Sequence, residues 1–192
     1  MFSDESRFKL SMNDGRLRIW RRPNERFRDE HIHEYDAFGR GSVMIWAGIS
    51  LGGRTDIVFV DGTLTAQRYI DEILRPIVVP YAGAIGPNFI LQDDNARPHR
   101  ARITDDFLEE EAITRMDWPA VSPDLNPIEH LWDELGRKVT ARLTPQSTEQ
   151  QLRELLLEEW RRIPQRSIDK LINSMRTRCA ECIAAQGGHT HY

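Results

Sequence analysis

The first ten residues alternate. Phe2, Asp4, Ser6, Phe8 and Leu10 fall on one face of an extended chain, and Ser3, Glu5, Arg7 and Lys9 on the other, the period-two pattern of a half-buried strand. The odd member is Asp4. A carboxylate placed with Phe2 and Phe8 is costly unless it is paired or holds a cation. Asn13-Asp14-Gly15 is a strong hairpin signal, and Leu17 and Ile19 alternate beyond it in a second strand candidate. Residues 21 to 41 form a charged insertion that contains Pro23 and closes on two glycines. Ser42 to Ile49 is a nearly continuous apolar run, as expected of a central strand buried on both faces. Gly52-Gly53 turns the chain into another strand candidate, Asp56 to Val60.

The period then changes. A helix is predicted from Thr65 to Leu74, ended or kinked around Pro76 and Pro80. Asn88 to Gln92 is a short buried strand that delivers Asp93 and Asp94 at its C-terminal end. Ala101 to Glu111 reads as a helix and Ile113 to Met116 as a last short strand. From Asn126 onward the chain is helical, with Ile128, Leu131, Trp132, Leu135 and Val139 in one apolar stripe. Thr148 and Gln151 form a capping box for the next helix. A last helix carries Ile168, Leu171, Ile172, Met175, Cys179 and Ile183 on one face and ends at Gly187-Gly188. Trp20, Trp46, Trp118, Trp132 and Trp160 are most simply packing residues. This order of elements predicts an α/β fold: a ribonuclease-H-like mixed sheet flanked by helices, over residues 1–143, with a C-terminal helical extension over 144–192.

Composition narrows the class. A chain of 192 residues that is 40% hydrophobic and 29% charged suits a globular domain. No apolar run approaches a transmembrane span, and no secretory signal opens the chain, so an intracellular protein without membrane contact is expected. Two cysteines argue against a disulfide framework. Cys179-Ala180-Glu181-Cys182 has metal-site spacing, and His189 and His191 would complete a zinc site on paper. With no second cysteine pair, cysteines packed in or beside a helix are the simpler reading. The net charge of −4 disfavours tight nucleic-acid binding, although 23 of the 26 basic residues are Arg, the better bidentate phosphate partner.

The candidate chemistry is acidic. Asp4 lies in the first strand, Asp93 and Asp94 at a strand end, and Glu129 in the first turn of a helix. Each has an ordinary explanation. Asp4 is a salt-bridged carboxylate, the pair at 93 and 94 caps a helix, and Glu129 completes a capping box with Asn126 across Pro127. Taken together they suit a two-metal phosphoryl-transfer site, where ions roughly 3.5–4 Å apart clamp the attacking and leaving oxygens. Such ions are bound by oxygen ligands from separate elements.

Four ordered segments carry a resemblance: Phe2-Ser3-Asp4-Glu5-Ser6-Arg7-Phe8, Ser42-Val43-Met44-Ile45-Trp46, Gln92-Asp93-Asp94-Asn95-Ala96-Arg97-Pro98-His99, and Trp118 to Trp132 with its Asp124-Leu125-Asn126-Pro127-Ile128-Glu129 run. Together they resemble the catalytic domain of Tc/mariner transposases, a likeness that extends over essentially the whole chain. Thirty-four residues separate Asp94 from Glu129, the spacing of the Tc branch. The resemblance implies Asp4, Asp94 and Glu129 as catalytic acids and metal ligands. It assigns Asp94 rather than Asp93, because Asp94 directly precedes Asn95. Asn95, His99 and Asn126 are candidate supporting residues that orient ligands or touch DNA, with turn and helix-start roles as the alternative.

The resemblance further implies Mg²⁺ or Mn²⁺ as cofactor, in two copies. The activity would be DNA cleavage and strand transfer in cut-and-paste transposition: hydrolysis of a phosphodiester at the transposon end, then attack of the released 3′-hydroxyl on target DNA. The partners would be transposon ends, target DNA and a second copy of the chain in a homodimer, and the location the nucleus. The charged insertion resembles the loop that clamps a partner subunit in mariner relatives, with a solvated loop as the alternative. Only three residues precede Asp4, and the helix-turn-helix modules of full-length relatives have no counterpart. An N-terminally truncated chain is therefore expected. The alternative function is a catalytically inactive remnant acting as a weak nucleic-acid-binding or protein-binding module.

Overall fold

The computed structural model describes residues 1–10, 41–120, 122–144 and 147–185. The Asn13-Asp14-Gly15 turn, the strand candidate at Leu17 and Ile19, Trp20, the charged insertion, and the C-terminal glycines with His189 and His191 lie outside the described residues.

The alternating N-terminal segment is strand β1 (Phe2–Lys9), and the apolar run is β2 (Ser42–Ser50). They pair antiparallel along the full length of β1, with Asp4 opposite Ala47. The other edge of β2 carries β3 (Gly53–Arg54) and β4 (Val58–Val60), both antiparallel. Beyond β1 lies β5 (Ile90–Leu91), joined to it by a parallel bridge between Phe2 and Gln92. Ser3 N–H donates to the Gln92 carbonyl at 3.1 Å, and Gln92 N–H to the Met1 carbonyl at 2.8 Å. A parallel strand β6 (Thr114–Arg115) follows beside β5. The result is the mixed sheet expected, with β1 and β2 at its centre.

Both faces of β2 are covered, as its unbroken apolar run requires. On one side Trp46 packs with the helical layer between β4 and β5 and with helix α3 (Arg102–Glu110). That layer departs from expectation. Helix α1 (Ala66–Arg68) passes into a π-helical stretch, Tyr69–Val78, and then into α2 (Val79–Ile85) without stopping at either proline. Val79 N–H donates to the Leu74 carbonyl five residues back. The wider turn accommodates Pro76, which has no N–H to offer. Continuing the helix buries Tyr69, Ile70, Ile73, Leu74 and Val78, and burial of each such side chain contributes about 1.5–3 kcal/mol.

The opposite face meets α4 (Pro127–Arg142), whose predicted stripe packs on Val43, Ile45, Ala47 and Ile49. The same core takes in Leu152, Leu156 and Trp160 of α5 (Glu149–Arg162) and Ile168 of α6 (Gln165–Asn173). Trp132 stacks on Trp160 with ring centroids 5.4 Å apart, and the Thr148–Gln151 capping box forms.

The last predicted helix is two. α6 ends where Ser174 Oγ donates back to the Leu171 carbonyl at 2.6 Å, a local bond that competes with the helix ladder. α7 (Met175–Ala184) follows. Its buried side chain is Arg178, 1% exposed, whereas Cys179 is exposed and Ile183 is 77% exposed. The apolar stripe therefore stops short of the chain's end, because α7 docks through a guanidinium and not through hydrocarbon.

Candidate active site

Asp4 sits mid-strand on β1 and points toward α4. Its Oδ2 accepts a hydrogen bond from Trp132 Nε1 at 3.1 Å, so an apolar-stripe residue of α4 also serves the carboxylate. Glu129, in the first turn of α4, shares a hydrogen bond with Asp4. Burial, then the Glu129 charge, then the Glu5 charge push the Asp4 carboxyl up to about 8. Burial raises Glu129 as well, helped by Asp133 and Asp94. Two carboxyl groups in contact and short of countercharge hold a proton between them.

The start of α4 is tied to β1. Asn126 caps the helix, its side chain accepting from Ile128 N–H at 3.4 Å. Its amide also donates to the Ser3 carbonyl at 3.3 Å, next to Asp4. The expected capping box does not form: Asn126 N–H goes instead to the Pro123 carbonyl at 2.9 Å, while the Glu129 carboxyl turns to Asp4. The preceding turn, Pro123–Leu125, is held by Arg178, which donates to the Asp124 carbonyl at 2.8 Å and meets His130 Nε2 at 2.7 Å.

Asp94 follows β5. Its Oδ1 accepts from Ala96 N–H and from His99 Nδ1, both at 2.7 Å. The bond from His99 comes first in holding its carboxyl below the usual range. His99 is 2% exposed and meets Glu5 Oε1 through Nε2 at 3.2 Å. Burial would lower the imidazole, but its bonds to Asp94 and Glu5 and the charges of Glu5 and Asp93 outweigh that and push it up to about 10. Asn95 ties this loop to its neighbours, donating to the Trp118 carbonyl at 3.0 Å and accepting from Arg100 Nε at 2.8 Å.

Asp93 faces elsewhere. It is 1% exposed and ion-paired at 3.3 Å with both Arg100 and Arg115, and the Tyr69 hydroxyl donates to its Oδ2 at 3.4 Å. Burial still raises its carboxyl, with the charges of His99, Arg115 and Arg100 opposing that shift.

Thus Asp4 and Glu129 touch, and Asp94 lies near enough to raise Glu129 while being turned toward His99. Among the described residues, no three His, Cys, Asp or Glu side chains are gathered tightly enough to hold an ion as they stand. The donor chemistry nevertheless fits a hard divalent cation. All three are oxygen donors, and the Asp4–Glu129 pair lacks the positive partner that Asp93 has. Sequence reasoning overlooked Glu5, Trp132 and Arg178. Glu5 alone had a usable signal, since alternation places it on the face of β1 opposite Asp4.

A central strand, the segment after a neighbouring strand and a facing helix thus each bring a carboxylate toward one place, Asp4, Asp94 and Glu129 in turn, a set of oxygen donors that suits a hard divalent cation. Residues 1–152 match the family described as DDE superfamily endonuclease. The chain is 32% identical over 192 residues to the Tc3 transposable-element transposase of Caenorhabditis elegans, covering all of this chain and 57% of that protein. It is 34% identical over 193 residues to the Tcb2 transposase of Caenorhabditis briggsae, covering all of this chain and 70% of the relative. The Mos1 transposase catalytic domain, solved with raltegravir and Mn, has the same fold at a TM-score of 0.67 and 21% identity, over 78% of each chain. A Mos1 paired-end complex with the left transposon end superposes at 0.74 with 19% identity, over 97% of this chain and 55% of that one. The chain belongs to the DDE superfamily endonucleases, as a catalytic domain homologous to the Tc/mariner transposases. It spans little more than half the length of the Tc3 protein.

Proposed function

We propose that this chain is the catalytic domain of a divalent-metal-dependent DNA endonuclease and strand transferase of cut-and-paste transposition, supplying the strand cleavage and the joining of the freed 3′-hydroxyl to target DNA. The observation that carries the reading is the meeting of Asp4 and Glu129, from β1 and α4, with Asp94 beside them and Asp93 turned away into ion pairs with Arg100 and Arg115. Similarity to transposases along the whole of this chain and three intact carboxylates favour this over an inactive remnant.

In this reading Asp4, Asp94 and Glu129 hold two Mg²⁺ or Mn²⁺ ions. When bound, such ions offset charge on the scissile phosphate and ease deprotonation of the attacking hydroxyl. The protein's own part is positional. Trp132 fixes one oxygen of Asp4, Asn126 locks the start of α4 to β1, and His99 fixes Asp94. Residues 1–143 would carry this site and 144–192 would brace it. Two chains would act together on paired ends, which mass photometry with transposon-end DNA tests by the presence of a two-chain complex.

The decisive experiment is a thermal melt with Mg²⁺ or Mn²⁺. Native protein should gain stability by binding linkage, Asp4→Asn with Asp94→Asn should abolish the gain, and Asp93→Asn should keep most of it. Equal gains in all three proteins would refute the assignment.

A further inference from the structure

One oxygen of Asp94 is fully engaged by the protein. Oδ1 takes both the Ala96 N–H and His99 Nδ1 at 2.7 Å, while no protein donor is directed to Oδ2 among the described contacts. The Asp94 side chain is 47% exposed, so the free oxygen is open to an incoming ligand. The imidazole that makes this choice is itself built in. Glu5 holds its Nε2 at 3.2 Å, and the Tyr69 ring lies against it with centroids 4.3 Å apart. Arg115 donates to the His99 carbonyl at 2.8 Å, and Thr104 donates to the preceding Pro98 carbonyl at 2.7 Å. Carboxylate oxygens only accept, so a ring bridging Asp94 and Glu5 donates from both nitrogens. Glu5 is the chain neighbour of Asp4, on the opposite face of β1. The imidazole therefore joins the two strands that carry the first two acids.

We propose that His99, braced by Glu5 and Tyr69, is a positioning residue for metal binding: it occupies Asp94 Oδ1 and presents Oδ2 to the divalent ion. The proposal rests on the assignment of Asp94 as a ligand. Without His99, Oδ1 would keep only the Ala96 N–H, and the carboxylate would turn about that single contact and lose its orientation each time the ion left. Partners that orient a ligand in this way typically change metal affinity by about 10–100-fold when removed.

The test is Mn²⁺ affinity of the full chain, read from the free-Mn²⁺ electron paramagnetic resonance signal, with melting temperature in chelator measured alongside. His99→Leu removes the donor and should weaken Mn²⁺ binding at least tenfold. His99→Asn places an amide nitrogen where Nδ1 stands, and should bind within about threefold of native although its bond to Glu5 is lost. His99→Gln carries its amide one methylene farther, toward Glu5, and should behave like His99→Leu. If His99→Leu fails to fold, the Asn and Gln variants decide between themselves, provided their chelator melts agree. Native affinity in His99→Gln, or equal losses in Asn and Gln, overturns the proposal. Asp94→Asn separates the two levels. If it leaves Mn²⁺ binding intact, the ligand assignment has failed. If it abolishes binding while His99→Gln does not, only the positioning role has failed.

Discussion

Asp4 and Asp93 are both carboxylates withdrawn from water, and they meet that cost in opposite ways. Asp93 is paired with two guanidiniums at 3.3 Å. Asp4 has an indole N–H and another carboxyl group. Burial first, then the charges of Glu129 and Glu5, push its carboxyl from the ordinary 3.8 up to about 8, so the folded state binds a proton that the unfolded state releases. That stabilising contribution is complete below pH ~4 and is lost as pH rises through about 8. His99, raised from 6.5 to about 10, acts in the same direction at higher pH. Metal-free protein should therefore melt progressively lower from pH 5 to pH 9. Asp4→Asn should flatten the part of that slope below pH 8, and saturating Mg²⁺ should oppose it by supplying the missing charge. A native protein that melts higher at pH 9 than at pH 5 in chelator would contradict this account of the Asp4–Glu129 pair.

At the scale of elements, legibility followed periodicity. β1 and β2 were readable because alternation and an unbroken apolar run are what half-buried and fully buried strands require. The α4 stripe was readable for the same reason. The helix beginning after Thr65 was readable too, but its continuation past Leu74 to Ile85 was not, because Pro76 and Pro80 signal a break or kink locally and only packing against Trp46 and α3 favours a widened turn. The site was legible as a set of acids, but their partners were not. Trp132 reads as core, and Glu5 reads as surface until β5 and its loop are placed beside β1. The start of α4 shows the distinction most directly. The spacing from Asn126 to Glu129 suggests a capping box, yet only Asn126 does structural work there, through Ile128 N–H and the Ser3 carbonyl. Asn126→Ala should therefore cost about 2 kcal/mol in chemical denaturation, the sum of a lost cap and an orphaned buried carbonyl. Glu129→Gln should change stability by less than about 0.5 kcal/mol in neutral buffer while weakening the Mn²⁺-induced stabilisation. A large stability loss in Glu129→Gln would return that residue to a capping role.

The whole molecule sets limits that neither residues nor elements show. With a net charge of −4, DNA binding by this chain should rest mainly on phosphate contacts from its arginines and fall steeply with salt. Competition between a transposon-end duplex and a scrambled duplex should show less than about tenfold preference, or roughly 1.4 kcal/mol; a larger ratio would locate sequence recognition within these residues. Cleavage with Mg²⁺ should be slow and unplaced for the same reason, since holding the phosphate in line supplies several kcal/mol of the barrier reduction.

The site also depends on the far end of the chain. Arg178, on α7, reaches back to the turn before α4, donating to the Asp124 carbonyl and meeting His130, the residue next to Glu129. Ser174 Oγ accepts from its Nε at 2.9 Å, which fixes the guanidinium from its own end. A buried charge that makes several hydrogen bonds is strongly destabilising to disrupt from one side. Arg178→Leu fills the space but removes every donor, and should cost about 3 kcal/mol in denaturant. Arg178→Lys keeps the charge but has no planar fork to serve the carbonyl and the imidazole together, and should recover less than half of that. The local consequence separates a clamp from general packing. If α7 holds the turn, amide hydrogens of residues 124–130 should exchange faster in Arg178→Leu than those of β2, under conditions where both proteins remain folded. Uniform acceleration across β2 and the turn would show that Arg178 supports only global stability, and that the C-terminal helix has no specific hold on Glu129.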